Sequence, residues 1–188
     1  PRLLSSAASD VYKRQQALKA NLGQMDYLDY MDSFRYPLAG EFSFRRDVLN
    51  DIRIPSDWSL EVGVLSEMYR NYANNRLCQV DIADNYDHKH QSLSVNDESK
   101  GLSKMSIDIA KGLFRKLATQ GVIFSQETFR SIKATYYRKA LDVIENCHND
   151  AVMNGLSLDV HEEEKAVEMF AQNIICLLYT SDAADERR

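Results

Sequence analysis

Residues 101–121 read GLSKMSIDIAKGLFRKLATQG, and this stretch decides the kind of fold to expect. Met105, Ile109, Leu113 and Leu117 recur every four residues, which puts them on one face of an α-helix. Gly121 then supplies the residue that most easily leaves a helix. Two further helices follow. Ser125 with Thr128 opens the second, whose apolar stripe is Phe129, Ile132, Tyr136, Ala140, Val143 and Ile144, running to Asn154-Gly155. Asp159 caps the third, and Glu162, Glu163 and Glu164 occupy its first turn, where the helix dipole favours carboxylates. A helical unit over 96–175 is the expectation.

Upstream the pattern is mixed. QALKANLGQMDYLDYMDSF is amphipathic and is expected to be helical to about Tyr30. In YPLAGEFSFRR, Phe42 and Phe44 alternate with Glu41 and Ser43, which predicts a strand or a strand-like turn beside a site, and Gly40 permits close backbone approach. Arg46–Asn50 predicts a short helix and IRIPSDW a loop. Ser56 or Asp57 can cap a helix carrying Glu61, Val64, Leu65, Met68 and Tyr72. Asn74-Asn75 turns into a second predicted strand, with Leu77, Gln79 and Asp81 alternating against Cys78, Val80 and Ile82. YDHKHQSLSVNDESKG reads as a polar loop. The expected fold class is α/β, mixed and helix-rich, with an α/β portion over 33–95 and a helical extension behind it.

Composition agrees with that reading. The chain has 188 residues, 44% of them hydrophobic, so a real core can form, and its 7 Gly and 3 Pro favour long helices over a β-sandwich. A net charge of −5 without a long basic run argues against a nucleic-acid binder. No stretch approaches the roughly 18–20 apolar residues of a membrane span, and no signal peptide is apparent, so a cytoplasmic protein is expected. Cys78 and Cys147 are isolated, without CxxC spacing, and read as reduced thiols.

The two ends carry a different message. SSAASDVYKRQ (5–15) and CLLYTSDAADE (176–186) back-translate to the two strands of one DNA segment, read in shifted frames. That DNA looks like a transposase adaptor from sequencing libraries. Residues 1–15 and 176–188 are therefore expected to be foreign tails that bury little, and the natural portion to span about 16–175. Removing the five basic and four acidic residues of these tails leaves 18 basic and 24 acidic residues, a net charge of −6.

Several residues could carry chemistry. DHKH at 87–90 places His88 and His90 in a polar loop after a predicted strand, where functional residues gather. Two imidazoles alone are too few for a zinc site, and a surface pair without a role is the plain alternative. His161 precedes three glutamates but no second His follows at HExxH spacing, so it reads as a solvated helix start. Glu61 lies on an apolar helix face, where an acid is either paired or functional. Trp58 is the only Trp and reads as core before platform.

Taken together, PLAGEFSFRRDVL, IPSDWSLEVGVLSEMY, RLCQVDI followed by YDHKHQSLS, and GLSKMSIDIAKGLF resemble the C-terminal half of glucosyl-3-phosphoglycerate synthases. These are retaining GT-A-type glycosyltransferases that use a nucleotide-diphosphate sugar and a divalent metal. The resemblance runs in order through nearly all of 33–170. It implies that 16–95 is the C-terminal portion of a GT-A catalytic domain and 96–175 a helical C-terminal extension. It implies glucose transfer to 3-phosphoglycerate with retention, Mg²⁺ or Mn²⁺ as cofactor, and a homodimer for the full-length protein. By motif, Leu38 lies where a backbone carbonyl approaches the anomeric carbon, with Gly40 and Glu41 lining the turn. Trp58 takes an aromatic position near the sugar, Glu61 the acid that binds glucose hydroxyls, and His88 the histidine that completes the metal shell.

Tyr86 and Gln91 stand where some members carry arginines, so phosphate contacts or donor preference differ there. No D-x-D occurs within 16–175, so the nucleotide-binding half is expected upstream and the chain by itself is expected to be inactive. Two alternatives remain at this stage. One is a related GT-A transferase with another sugar, such as mannose, or another acceptor. The other is a non-catalytic helical interaction module built from 102–170.

Overall fold

The computed structural model describes residues 7–82 and 100–185, with side chains for 10–82 and 100–176. Among these residues the helices run in the order α1 (Ala7–Leu22), α2 (Asp26–Asp32), α3 (Val48–Asp51), α4 (Leu60–Asn71), α5 (Gly101–Thr119), α6 (Gln126–Met153) and α7 (Val160–Asp185). A single 3₁₀ turn covers Asn74–Arg76.

The three helices after residue 100 form as their stripes dictate. At Gly121 the backbone turns to φ 90°, and Val122 N–H closes α5 by donating to Leu117 O at 3.2 Å. Ser125 Oγ accepts Thr128 N–H at 3.2 Å and so caps α6. Asp159 Oδ1 accepts Glu162 N–H at 3.1 Å and starts α7 in the same way. Rings of Phe114, Phe124 and Phe129 meet at centroid distances of 4.8–5.4 Å and pin the α5–α6 turn. Ile109, Leu113 and Leu117 of α5 and Ile132, Tyr136 and Ile144 of α6 are buried, each contributing about 1.5–3 kcal/mol through burial. α7 lies along α6 and α5, and α1 packs against both α5 and α6.

The α/β portion corrects the sequence reading. No strand occurs among the described residues, and 36–44 and 77–82 are irregular chain. An extended segment becomes a strand only when a neighbour accepts its backbone ladder, and none of the described residues offers one. The opening helix is also two helices. Gly23, at φ 79°, ends α1 and lets α2 fold back on it. The short helix begins at Val48 rather than Arg46, and neither Ser56 nor Asp57 caps α4, whose N-cap is Ser59. Asp57 instead accepts Ser59 N–H at 2.9 Å and Ser59 Oγ–H at 2.5 Å, so it braces the turn before the helix.

The expectation that residues 1–15 bury little fails for 10–15. Asp10, Val11, Lys13, Arg14 and Gln15 are buried, while Tyr12 is exposed. Once 16–22 is helical, each added residue gains a backbone hydrogen bond at little nucleation cost, so the helix propagates backward. Tyr179 lies outside the residues whose side chains are described, and α7 runs on through 176–180 as a continuation of the same turn. Among the described residues no helix is long and apolar enough to cross a membrane.

Two glycines set how α4 nests. A Cβ on Gly63 would run into the Pro55 ring, and one on Gly112 would lie 2.7 Å from Ser59 Cβ. The 55–59 turn is therefore wedged between α4 and α5 with no room for a methyl group. Gly112→Ala is expected to cost about 1–3 kcal/mol despite its better helix propensity. A thermal melt checks this, with a fall of roughly 4–8 °C expected.

Candidate active site

The site starts from the turn at 37–41. Ala39 N–H donates to Tyr36 O at 3.1 Å, which closes the turn, and the Leu38 side chain packs against the main core. An apolar anchor thus holds a backbone that would otherwise be free. The following residue, Gly40, has no side chain, and the position its Cβ would take lies 3.9 Å from Glu61 Oε1. The first turn of α4 therefore brings Glu61 to the backbone of the PLAGE turn. Gly40 and Glu61 are thus neighbours, with Leu38 two residues before Gly40 in the same turn.

Glu61 is half-buried and sits where the α4 dipole favours negative charge. Glu41 and Trp58 are exposed, Trp58 at 42%. Trp58 is thus not a core residue, and its indole offers a flat face on the loop that leads into Glu61. Burial opposes the charge on Asp57, but its hydrogen bonds from Ser59, with Arg115 and Lys104 nearby, hold the carboxyl below the usual range. A carboxylate beside a bare backbone turn can accept hydrogen bonds from vicinal hydroxyls, and an exposed indole can cover an apolar ring face.

Aromatic packing holds α4 in place. Tyr27 Oη and Ser66 Oγ are 2.7 Å apart, Ser66 Oγ donates to Val62 O, and Tyr30 Oη donates to Leu65 O at 3.1 Å. The Tyr69 ring meets Tyr27 edge-on at 5.3 Å and Tyr30 at a tilt at 5.1 Å between centroids. Burial pushes the Tyr30 hydroxyl up to about 12, so it stays a neutral donor. On the outer side, Val48, Ile52 and Met68 form a second small core that ties 44–52 to α4.

The segment after the 3₁₀ turn runs beside the PLAGE approach. Gln79 accepts Arg35 N–H at 2.9 Å and donates to Ser33 O at 2.8 Å, while Arg35 pairs with exposed Asp81 at 3.3 Å. One glutamine side chain thus does the work that a strand ladder was expected to do. His88, His90, Tyr86 and Gln91 lie outside the described residues. Among the described residues no three His, Cys, Asp or Glu side chains gather as a divalent ion requires. The described residues do not by themselves form a metal centre.

Sequence reasoning missed a cleft of about 540 Å³ between α2, α4 and the 74–79 segment, lined by Asp26, Asp29, Tyr30, Phe34, Tyr69 and Gln79. Its only signal was the helical spacing of Tyr30 and Phe34, which reads equally as core.

The chain is 48% identical over 155 residues to a protein of Persephonella marina named glucosyl-3-phosphoglycerate synthase. It is 46% identical over 151 residues to one of the same name from Methanococcoides burtonii. These alignments cover 82% and 79% of this chain but only 38% and 37% of the relatives, so the chain spans little more than a third of their length. No protein-family model matches the chain, and no solved structure matches it.

Proposed function

We propose that this chain is the C-terminal part of a glucosyl-3-phosphoglycerate synthase, which moves glucose from a nucleotide-diphosphate sugar to 3-phosphoglycerate. The observation that carries the reading is the meeting of Gly40 and Glu61 at the PLAGE turn, within a chain so similar to two synthases. In this reading the overall scaffold is of GT-A type, and the described helices are its C-terminal portion.

The residues divide the task by chemistry. Glu61 accepts hydrogen bonds from glucose hydroxyls and so fixes the ring's orientation. Trp58 covers an apolar face of the sugar, and the Gly40–Glu41 turn lets the ring lie close to the backbone. The Leu38 carbonyl oxygen faces the anomeric carbon, where its partial negative charge favours the positive charge that develops as the bond to the diphosphate breaks. The electron pair of that bond leaves with the nucleoside diphosphate, and the acceptor hydroxyl oxygen bonds the carbon on the same face as its proton passes to the departing diphosphate oxygen. Each group acts through position, which is worth most when the site excludes water. His88 is proposed as a nitrogen ligand to a divalent ion, with the remaining ligands supplied from outside this chain.

The test is direct. The intact protein, incubated with UDP-glucose, Mg²⁺ and 3-phosphoglycerate, is expected to release nucleoside diphosphate in an acceptor-dependent way and to form glucosyl-3-phosphoglycerate, read by mass spectrometry. The 188-residue chain alone is expected to form none. Turnover by that chain would remove the claim of inactivity. Acceptor-independent release by the intact protein would remove the proposed acceptor.

A further inference from the structure

Helix α4 begins on a serine that does not cap it. Ser59 stands at the N-cap position, yet its hydroxyl accepts no first-turn N–H. The preference of such helix starts for serine rests on that very bond. Here the hydroxyl donates backward instead, to Asp57 Oδ1 at 2.5 Å, and Ser59 N–H donates to the same oxygen at 2.9 Å. Leu60 N–H closes the turn once more, on Asp57 O at 3.2 Å. Three donors from residues 59 and 60 thus converge on one aspartate, and Trp58 lies inside the loop that they close.

The loop is gripped from both sides. Ser59 is 4% exposed and backs onto α5, where Gly112 leaves no room for a methyl group. Pro55 sits against Gly63 of α4 with the same closeness. Arg115 of α5 and Lys104, itself paired with Asp108, lie near the Asp57 carboxylate and favour its charge, which makes it a stronger acceptor. Trp58 and Asp57 are both exposed, so the clasp adds little to the core. What the clasped loop presents is the Trp58 indole, followed in the first turn of α4 by Glu61 beside Gly40. A local rule given up where no burial is gained points to a demand of the site.

We propose that Asp57 is a positioning residue of the sugar subsite: its clasp on Ser59, seated against Gly112 of α5, fixes the spacing between Trp58 and Glu61. The inference rests on the synthase reading above, in which Trp58 covers the sugar and Glu61 holds its hydroxyls. Asp57 acts through those two residues. A displacement of about 1 Å in such groups can cost on the order of 100-fold in rate, so holding the loop in one shape matters. The helical extension is then the back wall of the subsite, because α5 supplies both Gly112 and the two cations near Asp57.

Trp58 is the only tryptophan of the 188-residue chain, so its fluorescence reports on this loop alone. In that chain Asp57→Ala is expected to lower the anisotropy of Trp58 and to raise its quenching by acrylamide, with the melting midpoint lowered by no more than about 4 °C. Asp57→Asn keeps the acceptor oxygen and is expected to restore most of both signals. In the intact protein, Asp57→Ala is expected to lower kcat/KM for UDP-glucose by roughly 5–30-fold and to leave the KM for 3-phosphoglycerate as it was. Asp57→Asn should again recover most of the loss. Unchanged anisotropy and quenching in Asp57→Ala overturns the clasp, whatever the protein catalyses. A loosened Trp58 with unaltered kcat/KM overturns its bearing on the sugar. Absence of glucosyl transfer by the unaltered intact protein removes the synthase reading and the subsite with it, an outcome told apart from the other two because no variant is involved.

Discussion

In the intact protein, His88→Ala is expected to lower turnover by at least the roughly 10–100-fold that loss of a metal's outer-shell partner costs. It is also expected to raise the Mg²⁺ or Mn²⁺ concentration needed for half-maximal activity. The diphosphate leaving group takes on negative charge as its bond to the sugar breaks, and a displaced ion would no longer balance it. Acid should act in the same direction as the mutation. Only neutral imidazole ligates a metal, so protonation competes with the ion for the same nitrogen. His90→Ala is expected to change both quantities far less. His88 and His90 are two residues apart, so an extended backbone would point both to one side. The resemblance, and not the spacing, singles out His88, and the pair of variants therefore decides the matter. Equal, near-unaltered metal titrations for the two would remove His88 from the site.

Glu61→Ala in the intact protein is expected to lower kcat/KM for the sugar nucleotide by roughly 10–150-fold, the value of about 1.5–3 kcal/mol for hydrogen bonds to a charged group. Its melting point is expected to move by no more than a degree or two. Glu61 is half-buried at the first turn of α4, away from the ring packing of Tyr27, Tyr30 and Tyr69 that holds that helix. Glu61→Gln should recover part of the loss, because the amide keeps one acceptor in the same place but not the charge. A Glu61→Ala enzyme with unchanged kinetics would show that the acid merely borders the turn.

Some of this molecule is legible in its sequence because local rules suffice. The α5 and α6 stripes, the Gly121 stop, the Ser125 cap and the Asp159 cap all involve residues within a turn or two of one another. Sequence periodicity shows such features directly, since helical hydrogen bonds close between near neighbours. Motif order also identified the chain's kin. The PLAGE and EVGVL motifs and the DHKH loop pointed to the glucosyl-3-phosphoglycerate synthases that comparison over about four-fifths of the chain then returned.

Other features belong to the tertiary structure alone. Alternation at 36–44 and 77–82 predicted strands, yet a strand is a property of a pair of segments, and no described neighbour completes the pair. The break at Gly23 was missed because a glycine inside an amphipathic pattern reads as tolerated until α2 is seen folded back on α1. Burial of Asp10 and Arg14 could not be read from polar residues either, since it depends on a groove built by helices about ninety and more positions downstream. By itself the sequence determined the helices that follow residue 100 and the family whose motifs the chain resembles. That Gly40 meets Glu61, that Trp58 faces outward and that α1 fills the α5–α6–α7 groove was decided by the packed fold, because contacts between distant segments depend on shape that no local pattern encodes.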